Sequence, residues 1–264
     1  MGGLSGLADA SAPSLRGELR YGLELARLVT EREFLRPRRD PEAPPVLLVP
    51  GFMAGDQSLR VLAGWLRRRG SPTAAAGIRL NVGCAERVVA GIEARVRTLA
   101  ERTGRRIAII GQSRGGALAR VAAVRNPELV GTLAMLGSPV LDPLGVAPAV
   151  LGAVRSVARL GDLGVPGLFS TECRDGDCCA AFRTDLTTPL PDDLRAVAVY
   201  SRSDGIVSWE ACLDPYADCV EVDSSHAGMS VSLGVYRVLA EVLGEQSAVT
   251  RATTLEQRER RWSG

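Results

Sequence analysis

The stretch "RRIAIIGQSRGGALAR", residues 105–120, determines the fold that the sequence predicts. Its apolar run at 107–110 predicts a buried strand, and helix-forming residues follow the glycines directly. Between them, Gly111-Gln112-Ser113-Arg114-Gly115 fits the pattern G-x-S-x-G. Either the glycines close a tight turn in which the serine has no role, or the turn presents Ser113 as a nucleophile. A nucleophile there would lie at a helix N-terminus, where free amides favour negative charge.

Strands and helices alternate on both sides of this stretch. Apolar runs predict strands at 46–49, within 128–140, at 196–200 and within 218–229. Helical patterns cover 57–69, 84–103, 117–124 and 232–245. Each predicted strand is a nearly continuous apolar run, which is typical of a parallel sheet with helices on both faces. The sequence therefore predicts an α/β domain over 45–245 with a mostly parallel sheet.

Three segments fall outside this alternation. Residues 1–44 are expected to form a tail followed by an amphipathic helix over 14–36 that lies on the main domain; a helix on a membrane surface is the alternative. The segment 141–193 is apolar, rich in Gly and Pro, and contains one predicted helix near 147–160. We expect it to form a lid over the sheet. Residues 246–264 form a charged C-terminal tail.

A serine hydroxyl needs a base, and His226 is the one histidine of the chain. It follows the last predicted strand, where the base arrives when the chain order is Ser, acid, His. Asp204 follows the strand at 196–200 and lies between the other two, so it is the predicted acid. Asp223 is its rival. Asp214 and Asp218 are interpreted as solvated loop charges.

Hydrolysis of an acyl bond also needs donors for the oxyanion that develops. Gly51 lets the backbone turn after the first strand, so that the amide of Phe52 can face the site. The amide of Arg114, next to the serine, is the second expected donor. Both are backbone groups, so the identity of these side chains carries little information.

Four motifs taken in order, "LLVPGFMAGD", "IIGQSRGG", "YSRSDGIV" and "SSHAGM", resemble the α/β-hydrolase serine esterases and lipases, and in particular their bacterial lipase-like members. The resemblance covers about 45–245. It implies the α/β-hydrolase fold, a nucleophile at Ser113, an acid at Asp204 and a base at His226, with oxyanion amides from Phe52 and Arg114. The chain departs from many relatives at two places: Pro50-Gly51 replaces His-Gly, and Gln112 replaces a His before the serine.

Composition excludes several other classes. Hydrophobic residues make up 46% and charged residues 23%, and the net charge is +2 without a basic stripe, so nucleic-acid binding has no support. No apolar run reaches the roughly 20 residues of a membrane span, and the N-terminus lacks a signal-peptide pattern, so a cytoplasmic location is expected. "GQSRGG" is neither a P-loop nor a dinucleotide fingerprint, so no cofactor is expected.

Six cysteines complicate this interpretation. They are either reduced thiols or form disulfides. If they form disulfides, Cys173, Cys178 or Cys179 would link the lid to Cys84 or Cys212. The remaining cysteine is Cys219. No metal site is expected, because Cys-x4-Cys-Cys is not a usual zinc spacing and the chain has one histidine.

The function expected from the sequence is hydrolysis of small-molecule or lipid esters through an acyl-enzyme. Acyl transfer to an alcohol other than water would use the same triad and is the alternative; a non-catalytic binding protein on this fold is the alternative from another class. The apolar residues of the lid either line an acyl pocket or simply pack onto the sheet: Leu141, Leu144, Val146, Val150, Leu151, Val154 and Leu160.

Overall fold

A six-stranded sheet forms the centre of the computed structural model, which describes residues 20–244 and 246. All neighbouring strands are parallel, in the order β2-β1-β3-β4-β5-β6. The strands are β1 (Val46–Val49), β2 (Thr73–Ala75), β3 (Ile107–Gln112), β4 (Val130–Leu136), β5 (Arg195–Tyr200) and β6 (Asp218–Glu221). Because every strand runs the same way, all the carboxyl ends meet at one edge, where loops can bring distant residues together.

Helices cover both faces of this sheet. They are α1 (Tyr21–Leu28), α2 (Arg32–Leu35), α3 (Arg60–Arg69), α4 (Ala85–Thr103), α5 (Arg114–Arg125), α6 (Pro148–Asp162), α7 (Thr171–Asp175), α8 (Ala180–Thr187) and α9 (233–244). Alternate residues of β1 enter different cores, because successive strand side chains point to opposite faces. Leu47 packs with α4 and α5, whereas Leu48 packs with α1, α3 and α9. The predicted parallel sheet with helices on both faces is confirmed.

Two local predictions were incomplete. The strand β2 was not predicted, because "TAA" is short, half-exposed and lacks an apolar run. The single helix expected over 14–36 is, from residue 20 onwards, two helices separated by an extended Glu31. Leu28 of α1 is fully buried in the core beneath α3 and α9. Residues 14–19 of that prediction lie outside the described residues, as do the predicted tails at 1–13 and, apart from Gln246, at 246–264.

The segment 141–193 contains three helices, α6, α7 and α8, of which only α6 was predicted. Leu186 of α8 and Leu190 beyond it belong to the core on the α4–α5 side of the sheet. The segment is therefore anchored in the main core at its C-terminal end. In the part of the chain that the structure describes, no helix combines the length and the apolar character needed to cross a bilayer.

A buried ion pair ties α5 to the loop before β6. Nε of Arg120 lies 2.6 Å from Oδ2 of Asp214, and the two side chains are 2% and 1% exposed. The sequence interpretation of Asp214 as a solvated loop charge was therefore wrong. This pair could not be predicted from the sequence, because Arg120 lies 94 residues before Asp214. Asp218 is exposed and pairs with Arg195, as expected of a solvated charge.

Asp214→Ala is expected to lower the free energy of unfolding by about 3–5 kcal/mol, because it leaves the guanidinium of Arg120 buried without its counter-charge. Urea unfolding followed by circular dichroism measures this. Asp218→Ala is the matched control, and loss of its exposed pair should change stability by about 0–1 kcal/mol. Equal effects of the two substitutions would contradict the structural distinction between them.

Candidate active site

Ser113 occupies a sharp turn between β3 and α5. Its φ is 54° and its ψ −130°, a backbone conformation that costs a non-glycine residue about 1–3 kcal/mol. The flanking glycines are required by close backbone approach. A Cβ at Gly111 would lie 2.4 Å from the carbonyl oxygen of Gly115, and a Cβ at Gly115 would lie 2.4 Å from that of Val49. This strained turn holds Ser113 at the N-terminus of α5, at the carboxyl edge of the sheet.

His226 and Asp204 meet at the same edge, on the loops that follow β6 and β5. Nδ1 of His226 lies 2.6 Å from Oδ2 of Asp204, and the two side chains are 8% and 1% exposed. The other carboxylate oxygen, Oδ1, accepts hydrogen bonds from the amides of Ile206 and Val207, both at 2.8 Å. The carboxylate is thus fixed from both sides. With the proton on Nδ1, Nε2 of His226 is the ring nitrogen that can accept one.

Ser113 and His226 line one cavity, so the structure brings the predicted nucleophile and base to the same space. The rival acid, Asp223, instead faces solvent. Its carboxylate accepts hydrogen bonds from Arg20 and Ser203, at 3.0 and 2.9 Å, and these lower its pKa. This geometry favours Asp204 over Asp223 as the partner of the imidazole.

Two groups that the sequence analysis missed hold the histidine loop. Nε2 of Gln112 donates a hydrogen bond to the backbone carbonyl of His226 at 3.0 Å. Glu24 of α1 accepts hydrogen bonds from the amide and the hydroxyl of Ser225, at 2.8 and 2.7 Å. A signal for Glu24 was present: it lies on the same helix face as Leu28, where an acidic residue needs a buried partner.

The loop after β1 places Phe52 beside this turn. A Cβ at Gly51 would lie 3.2 Å from the Cβ of Ser113, so the backbone passes close to the serine, and Phe52 lines the same cavity. Asn81 is fully buried and braces the loop: its Nδ2 donates to the carbonyl of Pro50 at 2.8 Å, and its own carbonyl accepts from the amide of Met53 at 3.3 Å. The backbone of Phe52 is therefore held next to the nucleophile.

Arg114 contributes a side chain as well as an amide. Its guanidinium donates to the backbone carbonyl and to Oδ1 of Asn81, at 3.0 and 2.5 Å, and to the carbonyl of Gly83 at 2.6 Å. Desolvation by burial lowers the pKa of Arg114 to about 10, and the opposing influence of Cys179, Cys84 and Cys173 is smaller. Sequence reasoning considered only the amide; the structure shows that the side chain ties the nucleophile turn to the segment 81–83.

A cavity of about 860 Å³ opens beside Ser113 and is mostly apolar. Of the seven residues considered for an acyl pocket, four line it: Leu144, Val146, Val150 and Val154. Leu141, Leu151 and Leu160 do not line it, and Leu141 and Leu160 are exposed. Aromatic and aliphatic residues that the sequence analysis did not select complete the wall: Phe169, Phe182 and Leu186.

All six cysteines are free thiols in the structure. Cys212 is buried at the end of a short 3-10 turn, and burial raises the pKa of its thiol. Cys219 is exposed on β6. The other four are Cys84, Cys173, Cys178 and Cys179. Their sulfur atoms form a cluster that could hold a metal ion, and Cys173 and Cys179 also line the cavity.

Comparison with known proteins identifies the fold. No family model matches the chain, and no curated protein does. Among solved structures, the chain is similar to the mature form of lipase BlEst2 from Bacillus licheniformis, with 17% identity, a TM-score of 0.58, and coverage of 78% of this chain and 94% of that one. It is also similar to MGS-MChE2, an alpha/beta hydrolase enzyme from the metagenome of sediments of the Mar Chica lagoon, Morocco (17% identity, TM-score 0.50, 79% and 93% covered). The predicted α/β-hydrolase fold is confirmed.

Proposed function

We propose that this protein is a serine hydrolase that cleaves carboxylic esters with apolar acyl chains through an acyl-enzyme. The observation that supports this most strongly is the 2.6 Å contact between the buried Asp204 and His226, on a cavity that Ser113 also lines. An oriented imidazole on the same cavity as a strained, half-buried serine is the arrangement that nucleophilic acyl chemistry requires. Similarity to solved lipases supports the fold on which this chemistry would take place.

In the proposed reaction, Oγ of Ser113 attacks the ester carbonyl carbon while Nε2 of His226 accepts the hydroxyl proton. The amides of Phe52 and Arg114 would donate to the oxyanion, a stabilisation of about 10²–10³-fold in kcat for each donor. The C–O bond to the alcohol then breaks, and His226 returns its proton to the leaving oxygen. A water molecule, deprotonated by the same imidazole, attacks the acyl-enzyme and releases the acid and the free serine.

The cavity wall favours an apolar acyl group. The side chains of the segment 141–193 that line it include Val150, Val154, Phe169 and Phe182. An acyl chain lying against them would gain about 0.8 kcal/mol for each buried methylene. This is the basis for proposing that 141–193 acts as the lid and acyl pocket of the enzyme. A small polar acyl group would leave these residues uncovered.

Hydrolysis of p-nitrophenyl esters of increasing acyl length tests the substrate class. We expect kcat/KM to rise by up to about fourfold per methylene from acetate onwards, until the cavity is full. Val154→Trp should move the optimum to shorter chains, because Val154 lines the cavity. Leu160→Trp, on the same helix but exposed, is the matched control and should leave the optimum unchanged. A profile that falls steadily from acetate would refute the apolar pocket.

A further inference from the structure

Four cysteines from two parts of the chain, Cys84 and the group at 173–179, converge on one point. Cys84 is the residue before α4, Cys173 lies in α7, and Cys178 and Cys179 form the turn that leads into α8. Their sulfur atoms all lie within 4.8 Å of one another. The Sγ atom of Cys84 is 3.6 Å from those of Cys178 and Cys179, and Cys173 is 3.4 Å from Cys178.

These distances fit a single tetrahedral ion. Four sulfur atoms at about 2.3 Å from a central zinc are about 3.8 Å apart. Disulfide bonding would instead require pairs of sulfurs at about 2.05 Å. The four sulfur atoms form one cluster, whereas two disulfide bonds would divide them into two separate pairs. From this geometry we propose that Cys84, Cys173, Cys178 and Cys179 bind one Zn²⁺ ion in a closed, four-coordinate structural site.

The surroundings suit a thiolate centre. Cys84 and Cys179 are the residues that directly precede α4 and α8. A helix N-terminus favours negative charge on both. Four thiolates around Zn²⁺ carry a net charge of −2. The guanidinium of Arg114 donates to the carbonyl of Gly83, the residue before Cys84, and all its hydrogen-bond acceptors are neutral.

Binding needs no oxidant or co-reactant. Each of the four thiols loses its proton to solvent, and each sulfur forms one bond to zinc. Four protein ligands leave no open position for substrate or water, which distinguishes this site from a catalytic zinc site. The ion would therefore take no direct part in the proposed ester hydrolysis, and its binding can be measured without any substrate.

The ion would fasten the segment 141–193 to the main domain. Three ligands belong to that segment and one, Cys84, belongs to the start of α4. Cys173 and Cys179 also line the cavity, so the cluster forms part of the proposed acyl pocket. Next to Cys84, the carbonyl of Gly83 accepts the hydrogen bond from Arg114. Zinc would thus fix the same wall against which the nucleophile turn is braced.

The test is the metal content of the full chain, produced without a histidine tag in zinc-supplemented medium and purified without chelators. Elemental mass spectrometry should find about one zinc per chain. Cys178→Ser removes a ligand whose residue is exposed, so its fold should survive, and we expect at least a tenfold loss of zinc affinity. Cys219→Ser, an exposed cysteine outside the cluster, is the matched control and should retain the metal.

A second measurement reads the ligands directly. After zinc is removed by a chelator under reducing conditions, Co²⁺ should restore the site and give the intense visible bands of a tetrahedral ion together with sulfur-to-cobalt charge transfer. These bands should be lost in Cys178→Ser and kept in Cys219→Ser. Two results would overturn the proposal: an unreduced chain lighter by two hydrogens per disulfide and without metal, or a zinc content that Cys178→Ser leaves unchanged.

Discussion

Ser113→Ala should lower kcat for ester hydrolysis by about 10⁶-fold and leave only the slow reaction that the oxyanion donors and substrate binding support. The substitution removes the nucleophilic oxygen but keeps the backbone amides of Phe52 and Arg114 and the cavity. Because the turn already holds a non-glycine residue at a φ of 54°, alanine adds no new backbone strain. The measurement is single-turnover hydrolysis of the best p-nitrophenyl ester.

The control is Ser156→Ala. Ser156 is an exposed serine of α6 that donates a hydrogen bond to the carbonyl of Gly152, and its loss should leave turnover unchanged. A fluorophosphonate probe adds a readout that does not depend on the choice of ester, since it should label the native chain and the Ser156→Ala variant but not Ser113→Ala. Labelled and active Ser113→Ala would rule out the proposed nucleophile. A native chain that neither hydrolyses esters nor reacts with the probe would favour a non-catalytic protein on this fold.

Asp204→Asn has the second largest expected effect, a fall of about 10⁴-fold in kcat with the fold intact. An asparagine can still accept the amides of Ile206 and Val207 through its oxygen, so the loop geometry can be kept. Its NH₂ group would then face Nδ1 of His226 and favour the tautomer with the proton on Nε2. In that tautomer the imidazole cannot accept the serine proton, which is why the predicted loss is in kcat.

Asp223→Asn provides the matched control. Asp223 is close to His226 in sequence, but its carboxylate pairs with Arg20 at the surface. We expect kcat within about twofold of the native value and a stability change of about 0–1 kcal/mol. If Asp223→Asn lost activity and Asp204→Asn did not, the acid would be misassigned. Thermal melts of both variants separate a loss of chemistry from a loss of fold.

The sequence predicted the elements that have a strong local pattern. Strands such as Val46–Val49 are continuous apolar runs buried on both faces, and these runs are visible without any tertiary information. The edge strand Thr73–Ala75 has only one neighbour and exposed side chains, so its sequence carries little signal. The short helix α7 is held by packing against α6, and α8 by packing against α4 and α5, which a local pattern does not encode.

The residues of the candidate site also differ in whether the sequence alone points to them. Ser113, Asp204 and His226 could be proposed as a triad from the sequence, because each follows a predicted strand and because parallel strands gather their carboxyl ends at one edge. The partners that contact them could not. Glu24 reaches Ser225 across 201 residues, and the fourth sulfur of the cluster lies 94 residues before Cys178. The expectation of no metal site rested on the local spacing of Cys173, Cys178 and Cys179 and on the single histidine, and Cys84 was not counted with these cysteines as a ligand.

The contact between Glu24 and Ser225 also has a consequence for the order in which the chain folds. Paired residues of the sheet are at most 63 positions apart, as for Thr132 and Arg195, whereas this contact joins two segments near opposite ends of the described chain and closes one of its longest loops. Contacts of such separation carry a large entropic penalty and tend to form late in folding. The order of the histidine loop would then be among the last features acquired. Recovery of catalysis after denaturation would accordingly report completion of folding, and would lag behind the return of secondary structure.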